Sequence, residues 1–105
     1  MPDDVLEMIG TAALLEQLAE ESAELAQAAP KMARKLRNEN PTPKTHADCV
    51  SNLQEEIADV ELCISILPAA LHDPAEVGKT ITAKHRRWTE RLHDEKLWEV
   101  DSHED

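Results

Sequence analysis

The sequence predicts an all-α fold, a helical bundle of about three to four helices forming a single domain over residues 1–98. Three observations carry this. Apolar residues recur at spacings of three and four over long segments, the period of a helix with one buried face. No stretch alternates apolar and polar residues as a half-buried strand does. The breaks between segments fall at Pro-containing stretches, Asn38–Lys44 and His72–Pro74, where helices stop or start.

The elements follow in order. Residues 1–10 begin acidic and continue with Val5, Leu6, Met8 and Ile9, a short helix that Asp3 or Asp4 can cap. Gly10 and Thr11 break it, and Thr11 is a candidate N-cap for the next helix. Residues 11–38 form a long helix with Leu14, Leu18, Leu25, Met32 and Leu36 on one face. Pro30 interrupts it, so a kink or a restart at Lys31 is expected. Lys31, Arg34, Lys35 and Arg37 suit the negative end of that helix. A second long helix covers 46–72, with Thr45 the better cap and Leu53, Ile57, Val60, Ile64, Leu67 and Leu71 as its stripe. Pro68 interrupts its last turn. Asp73 as N-cap and Pro74 at the first helical position open a third, running to about Lys96. Val77, Ile81, Lys84, Trp88, Arg91 and Leu92 share one side of it, and residues 99–105 are an acidic, frayed tail.

Trp88 and Trp98 are the only aromatic residues in 105, so the core is built from Leu, Ile, Val, Ala and Met. A small core of that kind gains from self-association. The formal net charge of −11 argues against nucleic-acid and anionic-membrane surfaces, which call for cationic patches. It suits a protein that gathers divalent cations, and equally one that is simply soluble. Cys49 and Cys63 are too few and too isolated for a disulfide framework and read as small buried side chains. With no leader-like start and no apolar run near 18 residues, the expected location is cytoplasmic.

One position stands out. At ~100° per residue, Leu14, Leu18, Leu25 and Met32 occupy a narrow arc, and Glu21 falls at its edge, roughly 35° from its middle. Glu24 sits on the flank of the arc and Glu20 faces further out. A carboxylate on a core stripe is costly unless paired with a cation or hydrogen-bonded. The second helix echoes this, with Glu56 at roughly 60° from its stripe and Asp59 further round the same flank. Packed antiparallel, the pairs Glu21/Glu24 and Glu56/Asp59 converge, and hard oxygen ligands in that number suit Mg2+ or Mn2+. Acidic pairs at i, i+3 on solvated helix faces are the plainer explanation.

Glu21-x-x-Glu24 followed by Glu56-x-x-Asp59 resembles the ExxE…ExxD signature of MazG-like nucleoside triphosphate pyrophosphohydrolases, members of the all-α NTP pyrophosphatase superfamily. Gln17–Leu25 is similar to that family's first-helix motif and Glu55–Val60 to its second. Arg37–Pro43 resembles its connecting loop, and Lys84-x-x-Arg87-x-x-x-Arg91 the basic stretch of its last core helix. The resemblance covers residues 12–92; Pro30 and Pro68 depart from it. It implies a MazG-like bundle whose core is completed by dimerisation, as a homodimer or a dimer of dimers. It implies Mg2+-dependent hydrolysis of (deoxy)nucleoside triphosphates to monophosphate and pyrophosphate, with Mn2+ as a substitute. Glu21, Glu24, Glu56 and Asp59 would then be metal ligands and catalytic residues, with Glu21 the candidate base. Lys84, Arg87, Arg91 and Lys31 would meet the substrate phosphates.

Trp88, between Arg87 and Arg91, reads as core, with base stacking the alternative. Trp98 reads as a packing anchor and Asn52 as an exposed helix residue. The histidines show no paired metal spacing, and there is no Gly-rich phosphate loop. Two other functions stay open: a non-catalytic acidic helical module that binds a basic partner, and a superfamily member specialised for one substrate such as dUTP or dCTP.

Overall fold

A single glycine separates the first two helices of the computed structural model. Gly10 has φ 84°, a conformation open to glycine and strained for other residues. Its N–H donates to the Leu6 carbonyl at 2.9 Å, ending α1 (Pro2–Ile9). Its carbonyl accepts from the Leu14 N–H at 3.1 Å, opening α2 (Thr11–Arg37). The cap expected at Thr11 is therefore corrected: Gly10 holds the non-helical position, Thr11 is already helical, and no side chain caps α2. The structure describes residues 2–39 and 43–103, with side chains over 5–39 and 43–96.

Helix α2 continues through Pro30, and no restart occurs at Lys31. The proline ring removes the bond to the Ala26 carbonyl, but Ala28 and Met32 are buried on either side of it and hold both halves of the helix in place. The helix ends in a Schellman arrangement. Asn38 takes the left-handed conformation at φ 56°, its N–H donating to the Lys35 carbonyl while the Glu39 N–H reaches back to Arg34.

Helix α3 (His46–Ile66) begins with a capping box. The Thr45 hydroxyl accepts from the Asp48 N–H at 3.1 Å, and the Asp48 carboxylate accepts from the Thr45 N–H at 3.3 Å. The expected end at 72 is too late. Leu67 precedes Pro68 and adopts an extended ψ of 138°, because the proline ring excludes the helical conformation from the residue before it. A turn closed by the Leu71 N–H on the Pro68 carbonyl follows.

Asp73 caps α4 (Pro74–His103) as the sequence predicts: its carboxylate accepts from the Ala75 and Glu76 N–H groups at 3.0 and 3.4 Å. The helix passes its expected end at Lys96; Trp98 falls outside the described side chains. The chain divides into two units, Met1–Leu71 and His72–Asp105. No strand occurs among the described residues, and none of their helices is long and apolar enough to cross a membrane.

In the first unit α2 and α3 form an antiparallel hairpin with α1 against one end. The core there is Leu14, Cys63 and Ile66, with Leu6, Leu18 and Leu67 packed on it. Ala28, Met32 and Cys49 are buried further along. Leu36 is 65% exposed and Leu71 55%, so the apolar stripes of both helices end earlier than their patterns suggest. In the second unit Val77, Ile81, Trp88 and Leu92 are all exposed.

Candidate metal centre

Between the buried ends of the hairpin, four acidic side chains meet. Glu21, Glu24, Glu56 and Asp59 each present an oxygen, and these oxygens all lie within 4.8 Å of one another. Two come from each helix, three residues apart and therefore neighbours on one face. On α2 the arc read from the sequence is the buried one, since Leu14 and Met32 are buried and Leu18, Glu21 and Leu25 half-buried along it.

On α3 the reading is corrected. The buried side is defined by Cys49, Cys63 and Ile66, and Glu56 and Asp59 fall within it. The Leu53, Ile57, Val60, Ile64 stripe lies roughly 100° round the helix from that side, and Ile57 is 38% exposed. The two carboxylates are not flank residues of α3 but belong to the face it turns to α2.

The cluster is electrostatically unsettled. Oε2 of Glu21 and Oε2 of Glu56 are both buried with no hydrogen-bond partner. Glu21 feels opposing influences. The Gln17 amide, donating to Oε1 at 2.8 Å, favours the ionised form, but burial and the charges of Glu24 and Asp59 together outweigh it, and the carboxyl stands above its ordinary pKa. Burial pushes Glu56 up, helped by a hydrogen bond with Glu24 and by the charges of Glu24, Asp59 and Glu21. Burial likewise raises the Cys63 thiol, with Glu21 and Asp59 adding to it. Like charges crowded together disfavour ionisation. A cation reverses that and gives the orphaned oxygens a partner, so the residues present fit a metal ion bound by hard oxygen ligands.

The other residues singled out lie elsewhere. Lys84, Arg87, Trp88 and Arg91 line one concavity on α4, and Trp88 is 58% exposed there, not core. Lys31 is exposed on α2 and lines a different concavity with Arg34, Pro43, Lys44 and Cys49. Asn52, one turn before Glu56, is half-buried. Gln17 and Cys63 were missed as neighbours of the cluster. Each sits four residues from a cluster member, Gln17 before Glu21 and Cys63 after Asp59, and that spacing is the signal that marks them. Comparison with protein-family models, with curated proteins and with solved structures finds no significant match to this chain.

Proposed function

We propose that this chain is a Mg2+-dependent nucleoside triphosphate pyrophosphohydrolase of the MazG-like kind, cleaving (deoxy)nucleoside triphosphates to monophosphate and pyrophosphate. The observation that carries the reading is the convergence of four carboxylates, two of them with buried and unpartnered oxygens, at the centre of an antiparallel helix pair. The motif resemblance supplies the substrate class.

Glu21, Glu24, Glu56 and Asp59 would hold the ion. When bound, Mg2+ neutralises phosphate charge and provides a water that is nucleophilic near neutral pH. The chain's own groups supply the rest. A cluster oxygen not engaged as a ligand takes the proton of the attacking water. The motif resemblance alone assigns Lys84, Arg87 and Arg91 to the departing pyrophosphate, whose growing charge ammonium and guanidinium groups stabilise. Self-association as a homodimer or dimer of dimers belongs to the same reading, and exposed Ile57, Leu62 and Ile81 offer apolar surface for it.

The test is a panel of all (d)NTPs, ordinary and damaged, with Mg2+ or Mn2+ and pyrophosphate detection. Pyrophosphate release that Glu21→Gln and Asp59→Asn each abolish, with circular dichroism unchanged, is the expected result. No release from any member of the panel sinks the proposal.

A further inference from the structure

We propose that Gln17 is a positioning residue for the metal centre, fixing the Glu21 carboxylate so that its second oxygen serves as the ligand atom; this rests on the functional reading above. The Gln17 side-chain amide donates to Oε1 of Glu21 at 2.8 Å from one turn earlier on α2. That bond occupies one carboxylate oxygen. The other, Oε2, is buried and has no partner. A free Glu side chain has three rotatable bonds and spreads over several staggered rotamers. Tethering one oxygen to the same helix removes most of that freedom and leaves Oε2 the oxygen available to a cation among Glu24, Glu56 and Asp59.

Gln17 suits the task chemically. Its NH2 group donates without adding a charge that would repel a cation. It is itself exposed, so its contribution to folding is small and its effect on the site can be separated from stability. Partners that orient metal ligands typically change metal affinity by 10–100-fold when removed.

The experiment measures Mn2+ affinity by calorimetric titration, and apo melting temperature, for the full chain and for Gln17→Met. Methionine keeps the length and helix propensity of glutamine but cannot donate. Glu20→Gln, a change at an exposed neighbour outside the cluster, is the control. The expected result is Mn2+ binding by the unaltered protein, weakened at least about tenfold in Gln17→Met with the apo melt unchanged, and near-unaltered binding in Glu20→Gln. Equal affinity in Gln17→Met overturns the role of Gln17 while leaving the metal centre standing. A fall in affinity matched by a fall in the apo melt makes Gln17 structural and also overturns it. Absence of Mn2+ binding in the unaltered protein removes the metal centre and the inference together.

Discussion

Leu14 and Leu36 lie on the same apolar stripe of α2, yet Leu14 is 1% exposed and Leu36 65%. Replacing each by alanine is the same chemical change in the same helix, so propensity differences cancel and only the environment remains. Leu14 is the largest fully buried side chain among the described residues and packs with Cys63 and Ile66 at the α1 end of the hairpin. Removing it forfeits the transfer energy and leaves a cavity that surrounding helices fill only in part, about 2–5 kcal/mol. Leu36→Ala, at an exposed site, is expected within about 0.5 kcal/mol of the parent. Against a total stability of about 5–15 kcal/mol, the first change is large. With a urea m-value of about 1–3 kcal/mol/M it lowers the unfolding midpoint by roughly 0.7–5 M. Urea titration followed by circular dichroism reads both variants, and equal losses for Leu14→Ala and Leu36→Ala refute the placement of the core at the α1 end of the hairpin.

Three further outcomes follow from the site and the helix ends. Glu21 and Glu56 have folded pKa values raised above their unfolded ones, so the folded state binds protons more readily. Their contribution to stability is fully present below the unfolded carboxylate pKa and is lost as pH rises through the raised values. Apo protein is therefore expected to melt higher just below that window than at neutral pH, and a melting temperature that rises steadily across it contradicts the crowding described here. Mg2+ at neutral pH is expected to raise the melting temperature of the parent, since a ligand of the folded state stabilises it by mass action; Asp59→Asn removes a ligand, and an undiminished shift in that variant places the ion elsewhere. Thr45→Ala removes the hydroxyl half of the α3 capping box and is expected to lower stability by about 0.5–2 kcal/mol in urea titration, whereas an unchanged midpoint means the box does not hold that helix end.

How far the sequence could be read depended on which physical signal each residue carried. The helix starts at Thr45 and Asp73 were legible because capping is local, a side chain satisfying amides two or three residues on. The late placement of the α3 end overlooked another local rule, the restriction proline imposes on Leu67. Pro30 is the reverse case. A local rule argued for a kink or a restart; no restart occurs, with Ala28 and Met32 buried on either side of the proline.

The acidic cluster shows where periodicity stops being sufficient. On α2 the apolar stripe and the buried face coincide, so Glu21 stood out as a charge among leucines. Helix α3 carries apolar residues over a much wider arc, with Leu53, Ile57, Val60 and Ile64 on one side and Cys49, Cys63 and Ile66 on another. A helix pattern ranks faces by apolar content, and by that measure the first set is the stronger. The fold buries Cys49, Cys63 and Ile66 and leaves Leu53, Val60 and Ile64 half-buried. The choice falls on the less apolar face, the one that brings Glu56 and Asp59 against Glu21 and Glu24 and leaves Ile57 partly in water. Four carboxylates drawn together repel one another, and a cation held among them would offset that cost.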